Sequence, residues 1–185
     1  MSRNGNGDAW KHRQSWVPSP GQPPRKRLPR ELKGEPQFSM EELYLSPFKL
    51  RRKYSEDGDI SYEPIERNTA PTGFRIFDDY LLYLSEGHSD IHVFAERYGL
   101  RRDDIDSLIF VFTGMRGIDF RMAFQVRMAD ELLRYTNLEL ADVSRRAGFG
   151  SANNLYLTCK REFGVAPGVR RRELRKRGDI GRFKL

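Results

Sequence analysis

Apolar residues recur at three- and four-residue intervals through most of the chain after residue 75, and with no fixed period before it. That spacing predicts helices near 75–86, 90–98, 102–113, 117–135, 139–147, 151–163 and 167–176. The longest of them carries Ile118, Met122, Val126, Ala129 and Leu133 as an apolar stripe of helical period. The pattern divides the chain into an arm at 1–75, a helical domain at 76–177 and a tail at 178–185.

Leu138 to Arg170 has the most structured pattern. Leu140, Val143 and Ala147 make one helical stripe, and Gly148 follows where a left-handed residue ends a helix cheaply. Phe149 is placed to plug the corner, and Ser151 to cap the next helix. Leu155, Cys159 and Phe163 form the buried stripe of that second helix. Gly164 ends it, and Pro167 suits the first position of another. Helix, tight turn, helix is the layout of a DNA-reading helix-turn-helix. The outward face of the second helix holds Ala152, Asn153, Asn154, Tyr156 and Leu157, which are expected to touch base edges. Asn reads adenine, and small or apolar groups meet the thymine methyl. Ser151, Lys160, Arg161, Arg170 and Arg171 are expected at phosphates.

This stretch resembles the second helix-turn-helix of the AraC/XylS transcription regulators. Gly148, Phe149, Ser151, Lys160, Phe163, Gly164, Pro167 and Arg170 stand in the register of that family's pattern. The chain departs from it at Glu139, Ser144, Cys159 and Ala166. The upstream skeleton also matches, from Ile91, Phe94 and Ala95 through Thr113-Gly114-Met115 to Phe120, Ala129, Leu132 and Leu133. Gln125 stands where an Arg is usual. The resemblance spans roughly 76 to 177. It implies an all-α fold of two helix-turn-helix subdomains joined by a long linker helix, here behind a largely disordered arm. It implies double-stranded DNA as the partner, with RNA polymerase or another regulator beside it. Only some 75 residues precede the domain, without alternating strand patterns, so the expectation is a stand-alone type with no sensor barrel and no small-molecule effector.

Charge separates the two expected subdomains. Residues 1–75 carry 14 basic and 10 acidic side chains, residues 76–133 carry 6 and 11, and residues 134–185 carry 13 and 5. A polyanion is drawn to the last third and repelled by the middle. Asp103, Asp104 and Asp106 open the first motif's second helix, and Phe110, Val111 and Phe112 occupy positions that the family keeps polar. Three readings stay open: aromatics packing on the arm, a protein-docking face at Phe110, Val111 and Phe112, and retained DNA contact. The rival function is accordingly an adaptor that docks a protein through the first motif and touches nucleic acid only loosely.

Within the arm, the proline-rich stretch 18–30 is expected to be extended, and Trp10 and Trp16 are expected to anchor on a partner or be solvated. Ser39 and Glu42 match a capping box, with Phe38 and Leu43 as its hydrophobic staple, so a short helix is expected near 40–45. Lys49 to Lys53 is a basic cluster, and Tyr54 to Gly73 reads as a linker. The basic run 170–177 is expected either to extend the electrostatic footprint or to be a solvated helix face.

Other chemistry finds little support. There is no Walker loop, dinucleotide fingerprint or nucleophile elbow, so no enzyme is expected. His88 and His92 are four apart but separated from a common helix by Gly87 and Asp90, and no metal or other cofactor is expected. Cys159 has no partner for a disulfide and reads as core. With no secretory h-region and no bilayer-length apolar run, a cytoplasmic protein without membrane contact is expected.

Overall fold

The structure, a computed structural model, describes residues 36–185. The expectations for Trp10, Trp16 and the stretch 18–30 lie outside the described residues. The rest is mostly helical, with eight helices and one small sheet.

Ser39 starts α1 (Met40–Leu43) through the reciprocal cap that its sequence predicts. The Glu42 N–H donates to the Ser39 hydroxyl at 3.3 Å, and the Ser39 N–H donates to the Glu42 carboxylate at 2.7 Å. Four residues cannot hold a helix in water on propensity alone. Burial holds this one: Leu43, Leu45 and Phe48 are almost wholly inside.

The segment expected to be a linker folds. β1 (Leu50–Tyr54) and β2 (Ile60–Pro64) form an antiparallel hairpin, with Leu50 opposite Pro64 and Tyr54 opposite Ile60. Glu56-Asp57 makes the turn, the Gly58 N–H donating to the Ser55 carbonyl at 3.1 Å, and the Ser55 N–H donates to the Asp59 carbonyl at 2.9 Å. The tail is not loose either. After the last helix the chain returns, and β3 (Phe183–Lys184) pairs with the other edge of β1, giving the order β2-β1-β3. Phe183 stacks on Phe48 at 5.4 Å and meets Tyr135 edge-on at 4.8 Å. The buried Asp179 carboxylate accepts from Arg134 at 2.8 Å. The linker expected from Tyr54 to Gly73 thus contains a strand, and the tail expected at 178–185 joins the sheet. Alternation in LRRKY and ISYEP is masked because almost every side chain on the hairpin is exposed or half-exposed.

α2 (Arg75–Ser85), α3 (Ile91–Arg97) and α4 (Arg102–Thr113) make the first subdomain. α6 (Leu140–Arg146), α7 (Ala152–Phe163) and α8 (Pro167–Leu174) make the second. α5 (Gly117–Tyr135) joins them. Each falls within two residues of its sequence-predicted bounds. Asp90 caps α3 by accepting from the His92 N–H at 2.9 Å. Ala166 offers α8 no side-chain cap, as its sequence implies.

The expected apolar stripe of α5 is only partly the buried one. Ala129 and Leu133 are inside, but Ile118 is 55% exposed and Met122 and Val126 are half-buried. Phe120, Phe124, Met128 and Leu132 form the deeper stripe, each with no exposed surface. Phe120 meets Phe77 of α2, and Phe124 meets Tyr44 of the arm at 4.9 Å. Two apolar stripes compete on this helix. The aromatic one is buried because full burial of a large side chain is worth about 1.5–3 kcal/mol.

Two glycines bring the subdomains together. Gly87, at φ +86°, sits where a Cβ would lie 2.4 Å from the Arg146 carbonyl oxygen. Gly148, at φ +80°, turns the second motif, and its carbonyl accepts from Gln125 of α5 at 2.8 Å. An L side chain is strained at either angle.

Candidate nucleic-acid interface

α7 separates its faces cleanly. Leu155, Thr158 and Cys159 are buried, while Ala152, Asn153, Asn154, Tyr156, Leu157, Lys160 and Arg161 are exposed. Ser151 caps the helix, its hydroxyl accepting from the Asn154 N–H at 3.3 Å. The Ser144 hydroxyl donates to the Ser151 carbonyl, which ties α6 to the start of α7. Ser144 is thus a buried strut of the turn. Cys159 is core, and burial pushes its thiol up to about 11.

The expected base-reading side chains differ in freedom. Asn153 projects outward, as do Tyr156 at 44% and Leu157 at 56% exposure. Asn154 is exposed, but its amide already donates to the Phe149 carbonyl at 2.9 Å. It secures the turn and keeps its side-chain oxygen and one N–H for another partner.

The expected phosphate contacts split in two. Ser151, Lys160 and Arg161 lie at the surface, with Arg161 bonded to Glu162 at 2.7 Å. Arg170 and Arg171 are tied up within the domain. Arg170 makes a two-pronged contact with Asp130 at 3.1 and 2.5 Å and lies over the Phe163 ring at 3.9 Å. Arg171 donates to the Leu138 carbonyl at 2.5 Å, and burial, then Arg175, draws its guanidinium below the usual range. Arg175 donates to the Leu133 and Thr136 carbonyls, which close the C-terminal end of α5. Helix ends leave such carbonyls without partners, so the inner half of the basic run staples α8 to α5. Arg172, Lys176 and Arg177 stay exposed. Pattern alone could not separate the two halves, because Arg serves both roles with the same group.

The first motif presents a different surface. Among its acids, Asp104 accepts from the Arg101 N–H at 2.9 Å and caps α4, and that bond holds its carboxyl below the usual carboxylate range. Asp106 pairs with Arg102 at 3.2 Å. Asp103 remains exposed. Phe112 packs against Phe77, Phe38 and Phe74 at 5.0–5.9 Å, and its carbonyl accepts from the Gln37 and Phe38 N–H groups. The residues expected as one docking face are thereby divided: Phe112 belongs to the arm's seat, whereas Val111 is 49% exposed and Phe110 half-buried.

No cluster of three or more His, Cys, Asp or Glu side chains suited to a metal occurs among the described residues. His88 lies outside α3 and stacks on Tyr83 at 4.7 Å, apart from any role with His92. No described helix is long and apolar enough to cross a membrane.

The chain matches no protein-family model and no curated protein. Its fold is similar to several solved structures. The C-terminal domain of AraT, a response regulator from Geobacillus stearothermophilus, aligns at TM-score 0.49 and 20% identity, over 56% of this chain and 86% of that one. The DNA-binding domain of AdpA, a global transcriptional factor in complex with a target DNA, aligns at 0.46 and 23%, over 54% and 88%. A transcriptional regulator with an AraC-type DNA-binding domain, from Chromobacterium violaceum, aligns at 0.40 and 19%, over 49% and 80%.

Proposed function

We propose that this chain is a sequence-specific DNA-binding transcription regulator that reads the major groove mainly through the N-terminal half of α7. The observation that carries this reading is the open face of α7. Asn153, Tyr156 and Leu157 point to solvent at the start of a capped helix whose opposite face is fully buried. A recognition helix meets bases with its N-terminal residues. Lys160, Arg161, Arg172, Lys176 and Arg177 supply exposed positive charge around it. Arg170 and Arg171 serve as struts in this reading, and Asn154 both buttresses the turn and borders the groove. RNA polymerase or a second regulator is the protein partner proposed, and the remaining exposed apolar surface of α4, at Phe110 and Val111, is where an adaptor function would reside.

Site selection from random duplexes with the full chain tests the proposal. The wild type is expected to enrich one motif at physiological salt. Asn153→Ala is expected to relax one position of that motif, at a cost of about 1–3 kcal/mol for a two-bond base contact. Enrichment of no motif, or a motif identical in Asn153→Ala and Tyr156→Ala, overturns the assignment and favours the adaptor.

A further inference from the structure

From Ala147 to Cys159 the chain carries no charged side chain, although Arg145 and Arg146 precede that run and Lys160 and Arg161 follow it. The run includes the N-terminal half of α7, the part that the proposed function places in the groove. Its neutrality matters because charge discriminates among base pairs. Guanine presents two acceptors in the major groove, which the donors of Arg and Lys fit, and cytosine presents a donor that Asp and Glu accept. The open face of α7 has neither kind of group at its start. Lys160 lies eight residues beyond Ala152, about 12 Å along the axis at 1.5 Å per residue, and Arg161 is bonded to Glu162 at 2.7 Å.

What this face does carry suits the other pair. The Asn154 amide donates to the Phe149 carbonyl at 2.9 Å. Only the nitrogen end of an amide can face a carbonyl in this way, so the bond fixes which end of Asn154 donates and which accepts. One N–H and the side-chain oxygen stay available. Adenine presents their complement, the N7 acceptor beside the N6 amino donor. The turn that holds Asn154 is itself fixed: Gln125 of α5 donates to the Gly148 carbonyl at 2.8 Å, and the Ser144 hydroxyl of α6 donates to the Ser151 carbonyl. Asn154 is thereby ordered before any ligand arrives, which lowers the entropic cost of binding. Tyr156 and Leu157 stand exposed beside it on the same helix. An apolar group has one specific match in the major groove, the thymine methyl, which a G·C pair lacks.

We infer that α7 selects A·T pairs: Asn154 reads an adenine, and Leu157 and Tyr156 meet the methyl groups of neighbouring thymines, with no contact that selects guanine or cytosine. The DNA class is a duplex whose half-site has an A·T core. This inference rests on the function proposed above and names its substrate.

Site selection with the full chain, followed by base analogues in the most enriched duplex at one salt concentration, is the test. The core of the motif is expected to be A·T. Replacing its adenines one at a time by 7-deazaadenine, which lacks the N7 acceptor, should weaken binding about five- to tenfold at one position. Uracil for thymine removes only a methyl and should cost about three- to fourfold at each contacted base. That loss should shrink in Leu157→Ala or Tyr156→Ala, both at exposed positions. The analogues are read with wild-type protein, so no folding defect can imitate their effect. They alter only the major-groove edge, so a preference for the narrow minor groove of A·T tracts would not respond to them. A G·C core, an A·T core indifferent to both analogues, or a uracil loss unchanged in both variants would each overturn the inference while leaving sequence-specific binding intact. Enrichment of no motif would overturn the proposed function and this inference with it.

Discussion

Glu131 shows how a single carboxylate can hold a segment in place. The Tyr44 hydroxyl donates to it at 2.9 Å and the Ser46 hydroxyl at 2.7 Å, so it bonds the arm to α5. Burial raises its pKa above the usual 4.5, against the lowering by those two bonds and by Arg127. A carboxyl with a raised pKa in the folded chain contributes stability that is fully present below about 4.5 and is lost as pH rises through the raised value. Glu131→Gln keeps an acceptor for both hydroxyls and carries no charge. The difference in melting temperature, variant minus wild type, is therefore expected to grow from pH 4.5 to pH 8; a constant difference would show that Glu131 titrates as it does in the unfolded chain. Nothing in DELL, the local sequence of Glu131, signals this. Its partners lie 85 and 87 residues away, a separation that periodicity cannot bridge. Ser39 and Glu42, three residues apart, were legible for the opposite reason.

At the scale of elements, the helices from α2 to α8 announced themselves through period, caps and breakers, whereas the sheet did not. β1 and β3 lie more than 120 residues apart in the chain, and β3 is two residues long. What holds them is Phe183 against Phe48 and Tyr135, with Arg52 donating to the Gly178 carbonyl at 2.8 Å. Phe183→Ala is expected to cost about 1–3 kcal/mol, less than a fully buried Phe because its ring is half-covered. Hydrogen exchange should then rise across β1 and α1 before it rises in α6 and α7. Uniform acceleration would mean that the sheet is not a separate unit of stability. Gly58, left-handed directly after the Glu56-Asp57 turn, was the one local sign of the hairpin, since a type I turn followed by such a residue reverses a strand.

For the whole molecule, the strong positive charge of residues 134–185 overstates what the proposed DNA partner could meet. Arg170, Arg171 and Arg175 are held by the domain's own acceptors, which leaves Lys160, Arg161, Arg172, Lys176 and Arg177 as the exposed cations of α7, α8 and the run after it. At about 0.9 per neutralised phosphate, these five cations together would contribute about −4 to −5 to the salt slope in the proposed complex. Lys160→Ala should flatten it by about 1. Arg171→Ala should leave the slope unchanged and lower the melting temperature, because it strips a partner from the Leu138 carbonyl; a flatter slope in that variant would return Arg171 to the phosphate set. The order of helices, their ends and the open polar face of α7 followed from the sequence alone, since caps, breakers and period act between residues within one or two turns. The choice of which apolar stripe of α5 is covered, which arginines are struts, and whether arm and tail close into a sheet were decided only by tertiary structure, because each depends on a competition between groups far apart in the chain for the same buried surface or the same carbonyl oxygen.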